Sequence, residues 1–142
     1  MTLTRDRKSE LLAGVRLFEG IDEAELERIA ERTVEIDLPA GRVIAREGDV
    51  GTGFFIVVSG GVDVVRSGRH LAHLGPGEFF GELSVLDGGP RIAQVVATEP
   101  TICLGLASWD LEAVLLEEPR LALSILRGLA ARLRAVTEAA TH

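Results

Sequence analysis

The segment Phe80-Gly81-Glu82-Leu83-Ser84-Val85-Leu86-Asp87-Gly88-Gly89-Pro90-Arg91 sets a carboxylate and a guanidinium nine positions apart, in an otherwise apolar stretch framed by Gly-rich turns. An arginine buried in such company requires an anionic partner, because an unpaired charge away from water costs several kcal/mol. Glu82 is one candidate partner and a phosphate is the other. Residues 83–86 can form a single helical turn, whose free N–H groups attract an anion. Gly81, just before that turn, lets a ligand approach the backbone with no Cβ in the way. These residue types together describe a pocket for a phosphate attached to something that carries hydroxyls.

The rest of the chain bounds what can build such a pocket. Its 142 residues suit one domain with a real core, and 46% hydrophobic with 26% charged residues is globular rather than disordered composition. A formal net charge of −7 disfavours general binding to a nucleic-acid backbone. The basic cluster Arg5, Arg7 and Lys8 reads as a solvated terminus. Cys103 is the single cysteine, so an intrachain disulfide and a cysteine-based metal cluster are both excluded; it reads as a small core residue. No apolar run is long enough to span a bilayer and residues 1–15 lack a signal-peptide core, which makes a cytoplasmic protein away from membranes the expectation.

The elements that must position the pocket follow from periodicity. Residues 1–32 are expected to be helical. Leu11, Leu12, Val15 and Phe18 fall at helical spacing before Gly20, and Asp22 with Glu25 forms a capping box stapled by Ile21 and Leu26. From residue 33 the period changes to two. About eight short strands with Gly turns, running to residue 107, predict an antiparallel sandwich or jelly roll. Within it, Ser59-Gly60-Gly61 and Ser67-Gly68 each read as a tight hairpin. Residues 108–142 return to helix, with Ser108 as a cap and Pro119 in the first turn of a last helix. Ala122, Leu126, Leu129, Leu133 and Val136 line one face of that helix, and the simplest use of the face is packing on the roll. The expected fold is therefore mainly β, a single jelly-roll domain flanked by N-terminal and C-terminal α-helices.

At these residues the chain resembles the cyclic nucleotide-binding domain family. Phe80-Gly81-Glu82-Leu83 followed by Pro90-Arg91-Ile92-Ala93 is similar, without a gap, to that family's phosphate-binding cassette. Gly48-Asp49, Phe54-Phe55-Ile56-Val57 and Gly60 resemble its second signature. The resemblance covers nearly the whole chain, with the cassette at residues 80–95. It implies that Arg91 pairs with a cyclic phosphate and that Glu82 accepts a hydrogen bond from a ribose 2′-hydroxyl. It further implies that backbone N–H groups of Ser84 and Ile92 face phosphate oxygens, and that Gly81 leaves room near the sugar. A planar arginine fork suits two phosphate oxygens, and a carboxylate acceptor rejects a 2′-deoxy ligand. The chain departs from the family pattern at Ile92, where a small residue is usual, and at Gln94, where Thr or Ser is frequent. The implied site residues are Gly81, Glu82, Leu83, Ser84, Arg91, Ile92, Ala93 and Gln94. The implied ligand is cAMP or cGMP, with a slight lean to cAMP, and no cofactor or metal is expected.

Competing readings remain open on the sequence. Glu82 and Arg91 can form an ion pair that closes the roll, leaving a degenerate domain that serves protein interaction without a nucleotide. His70 and His73, near Glu78 and Glu82, raise a metal-dependent cupin-type enzyme, but a spacing of three on an alternating strand sends the two rings to opposite faces. Arg132 and Arg134 on the last helix can stack on a purine. The favoured expectation is a non-enzymatic sensor with an unidentified protein output partner and no direct contact with nucleic acid. A homodimer through the C-terminal helix is the alternative use of its apolar stripe.

Overall fold

The structure is a computed structural model that describes residues 3–51, 53–82, 86 and 88–140. Helix α1, Arg5–Ala13, starts at Thr4, whose hydroxyl accepts from the Arg7 N–H at 3.1 Å, and stops at Gly14. The helical spacing of Leu11 to Phe18 therefore belongs to two pieces, α1 and a 3-10 turn over Arg16–Phe18. Helix α2, Glu23–Arg32, begins after Asp22 without the expected capping box. The Glu25 carboxylate is instead turned to Arg28, accepting from its Nε at 2.9 Å and also from Nη2.

Strands β1 Val34–Leu38, β2 Val43–Ala45, β3 Gly53–Ser59, β4 Val62–Arg66, β5 Arg69–Leu74, β6 Phe79–Phe80, β7 Gln94–Ala97 and β8 Thr101–Ala107 form two antiparallel sheets. Their orders are β1-β8-β3-β6 and β2-β7-β4-β5. This is the expected jelly roll, closed by helices α3, Ser108–Glu117, and α4, Pro119–Ala140. Ser108 is the first residue of α3 rather than its side-chain cap.

Strands β3 and β8 of the first sheet are covered on both faces, which explains their nearly continuous apolar runs. Phe54, Ile56, Leu104 and Leu106 pack against Leu12, Phe18, Ile29, Leu111 and Leu121 from the helices. Val57, Phe80 and Cys103 turn inward to Val62, Val95 and Leu74 of the second sheet. Side chains of this kind contribute about 1.5–3 kcal/mol each when fully buried.

Two expected turns behave differently. Ser67-Gly68 is a true hairpin between β4 and β5. Ser59-Gly60-Gly61 is a corner, not a hairpin, because β3 pairs with β6 and β8 while β4 lies in the other sheet. Thr101 fixes that corner: its Oγ1 accepts from the Gly61 N–H at 3.1 Å. Strand β6 is only two residues long, too short for a period to show, and it carries the chain from β5 to Gly81.

Helix α4 turns only part of the expected stripe to the roll. Leu129 packs against the core beside the buried Leu121 and Ile125, and Gly128 meets the Phe79 ring, whereas Leu126, Leu133 and Val136 are 60–67% exposed.

Candidate functional site

Arg91 is held firmly through its backbone. Its N–H donates to the Asp49 carbonyl at 2.8 Å, its own carbonyl accepts from the Gly48 N–H at 2.7 Å, and Pro90 bridges Val50. The loop between β2 and β3 thus clamps the residue from one side. The guanidinium lies over the backbone of Gly51, where a Cβ would come within 2.3 Å of Cζ. Its Nη2 donates to the Gly53 carbonyl at 3.0 Å, and Cζ stands 5.7 Å from the Phe55 ring centre. Partial burial pushes the Arg91 pKa down, opposed by the field of Glu82. Among the described residues no carboxylate forms an ion pair with it.

Gly81 places the second charge. Its φ of +92° is left-handed backbone, and a Cβ there would sit 2.4 Å from the Gly53 carbonyl oxygen and 3.0 Å from Arg91 Nη1. Only glycine lets the chain pass this close to β3. Glu82, next in sequence, is 5% exposed and does not pair with Arg91. Its Oε1 accepts from Arg132 Nη1 on α4 at 2.5 Å, while its Oε2 is buried with no hydrogen-bond partner among the described residues.

Both charges line a cavity of about 460 Å³ in the roll. Val64, Leu71, Ala72, Leu74, Phe80 and Val95 give it an apolar wall, and Arg132 closes it on the helix side. Of the residues expected at a site, Gly81, Glu82, Arg91, Ile92 and Ala93 line this cavity. Ile92 is 53% exposed at its rim and Ala93 is buried. Gln94 does not line the cavity. It opens β7 opposite Val65, and strand alternation turns it away from the face that carries Ala93 and Val95. Leu83 and Ser84 lie outside the described residues, as does most of the helical turn expected over 83–86.

The site is thus a half-buried arginine clamped beside an open cavity, with a carboxylate alongside. The pattern of the cyclic nucleotide-binding domain matches residues 35–118. The chain belongs to this family. Over 128 residues it is 38% identical to the cyclic AMP receptor protein of Thermus thermophilus, covering 87% of this chain and 59% of that protein. It is 30% identical over 130 residues to a CRP-like cAMP-activated global transcriptional regulator of Mycobacterium tuberculosis, covering 88% and 58%. The crystal structure of the Thermus thermophilus catabolite activator protein superimposes with a TM-score of 0.82 at 37% identity, covering 88% of this chain and 61% of that one. The chain thus spans about three-fifths of the length of these relatives. It is a cyclic nucleotide-binding regulatory domain.

Two groups of this domain stand differently from their expectation. Arg132 was one of two arginines without a distinguishing feature in sequence, since its partner Glu82 is 50 positions away. Its Nη2 also donates to the Phe79 carbonyl at 2.6 Å, and its Cζ lies 4.2 Å above the Phe79 ring centre. His70 and His73 do not go to opposite faces. A register shift between Val64 and Val65 leaves Leu71 as the extra residue of β5, so both rings reach Asp63, at 3.3 and 2.8 Å. The His73 hydrogen bond, then that of His70, holds the Asp63 carboxyl below its usual range. His73 also borders the cavity, and no three donors among the described residues are arranged to hold a metal. No described helix is long and apolar enough to cross a membrane.

Proposed function

We propose that the domain is a non-catalytic sensor that takes a cyclic nucleotide into the roll, with cAMP preferred to cGMP. Arg91 pairs with the cyclic phosphate and Glu82 accepts from the ribose 2′-hydroxyl. Gly81, Ile92 and Ala93 form the adjoining wall, and backbone N–H groups of Ser84 and Ile92 meet phosphate oxygens beside Leu83. The observation that carries this reading is the separation of the two charges: Arg91 is partly desolvated with a carbonyl for a partner, and one buried oxygen of Glu82 has no partner among the described residues. Had the pair only closed the roll, they would have bonded to each other. A cavity of about 460 Å³ falls in the range of small-molecule sites. Apart from His73, the wall away from the charged groups is apolar and carries no described Ser or Thr that would favour the polar edge of guanine, which supports adenine.

The 142 residues act as one domain in this reading, with the phosphate ordering the cassette and the signal leaving through α3 and α4. The exposed stripe of Leu126, Leu133 and Val136 supports contact with a second copy or with a protein output partner. The acidic net charge of −7 supports an output other than direct binding of this domain to nucleic acid. The test is a thermal melt with cAMP, cGMP and 5′-AMP. Both cyclic nucleotides should raise the midpoint in proportion to the logarithm of their concentration, cAMP the more, and 5′-AMP should not. No shift with any cyclic nucleotide would leave a protein-interaction domain of the same fold.

A further inference from the structure

We infer that the outward face of α3 is a docking surface for a basic amphipathic helix of another protein, with Trp109 and Leu116 as its anchors. This face shares no residue with the cavity, and the inference holds whether or not the roll takes a nucleotide.

A surface helix ordinarily buries one apolar face and turns a polar one to water. Helix α3 does the first: Leu111 and Val114 are buried, and Leu115 packs against the core. Its opposite face is apolar as well. Trp109 and Leu116 stand about two turns apart on one line of the helix, with Ala113 between them. They are 67% and 78% exposed. Leaving two large apolar side chains in water on a rigid helix gives the isolated domain nothing, and burying them against a partner is favourable. Tryptophan is also among the residues that most often carry the energy of an interface.

The charges beside the ridge select what covers it. Helix α3 carries Asp110, Glu112 and Glu117 and no basic residue. By helical geometry Glu112 flanks the ridge on one side, and Asp110 and Glu117 flank it on the other. Arg32 of α2 lies 3.8 Å from Asp110 and 3.3 Å from Glu117, so that side faces α2 and one of the three charges is offset. Glu112 is exposed. The face is therefore an apolar ridge between acidic edges. A second copy of the same face would set like charges against each other, and an anionic lipid surface would be repelled. A helix with apolar residues at i, i+3 or i+4 and i+7, and Lys or Arg beside them, matches both the ridge and its edges. The net charge of −7 draws such a partner in from a distance.

Trp109 is the only tryptophan of the chain, so its emission reports on this face alone. The test titrates the full chain with a synthetic Leu/Lys peptide of about 18 residues whose leucines fall at helical spacing. A scrambled peptide of the same composition, a Leu/Glu counterpart and phosphatidylglycerol vesicles are titrated beside it. The Leu/Lys peptide should shift the emission to the blue and saturate at micromolar concentration. Leu116→Ser should weaken this binding about tenfold or more, and Glu112→Lys several-fold. Both side chains are exposed, so both variants should keep the wild-type melting point. An emission that the Leu/Lys peptide leaves unchanged overturns the inference, as does equal binding of the scrambled peptide or undiminished binding by Leu116→Ser. An equal blue shift from the Leu/Glu peptide or from the vesicles overturns it too. A blue shift that follows protein concentration alone gives the face to a second copy, against the inference. If Leu116→Ser costs the fold, Glu112→Lys decides alone: weakened in support, unchanged against. None of these readings depends on cAMP binding, so the assignment of the cavity stands or falls separately.

Discussion

At the scale of single residues, the chemistry of this domain lies in which polar atoms are satisfied and which are not. Arg91 and Glu82 were legible because charged residues in an apolar stretch demand partners, and the Gly-rich turns around them mark close approaches. Their partners were not legible. The Gly53 carbonyl and Arg132 come from β3 and α4, and nothing local in sequence points to them. Gln94 stands apart from the cavity lining for a simpler reason: strand alternation starts there, and its parity turns it away from Ala93 and Val95. Cys103 shows a residue whose type alone gave the right environment. It is fully buried, and burial pushes its thiol from an ordinary 9.0 up to about 11. The sign of the consequence is fixed: a thiol whose folded value is raised contributes stability that is complete below 9.0 and lost as pH climbs toward about 11. The urea midpoint should therefore fall through that alkaline window in wild type more than in Cys103→Ala. At about pH 8 a disulfide reagent should label the thiol only after denaturation. Rapid stoichiometric labelling of the native protein would contradict the burial.

At the scale of elements, local patterns gave the strands and missed the corners. Period-two alternation identifies β1 and β4, and continuous apolar runs identify β3 and β8. The sheet change at Ser59-Gly60-Gly61 looks the same in sequence as the hairpin at Ser67-Gly68, because both need tight turns; only strand pairing separates them. Gly81 is the element junction on which the site depends. Gly81→Ala would force a side chain into left-handed backbone and against the Gly53 carbonyl, which is main chain and has little freedom to yield. Its expected cost is about 1–3 kcal/mol in urea unfolding, together with loss of nucleotide binding. A neutral Gly81→Ala would mean that β3 and the cassette do not approach as closely as described. Leu104→Ala, in a strand covered on both faces, should cost about 2–5 kcal/mol, read from the same titration.

At the scale of the molecule, the jelly roll and its helices were foreseeable, and the facing of the last helix was not. Leu121, Ile125 and Gly128 share a helix face as the expected stripe does, and the roll selects them because the groove beside Phe79 admits a helix face lacking a Cβ there. That choice leaves Leu126, Leu133 and Val136 in water, a pattern spaced for a helix partner. Sedimentation should show concentration-dependent self-association that Leu133→Glu removes without lowering the melting point. A monomer at all concentrations would assign the stripe to another protein. The account as a whole stands on Arg91. Isothermal titration of wild type and Arg91→Ala with cAMP tests it most directly. Wild type should bind one equivalent, and the variant should lose at least the ~1.5–3 kcal/mol of a charge-assisted hydrogen bond. Equal affinity in the two proteins would contradict the central claim.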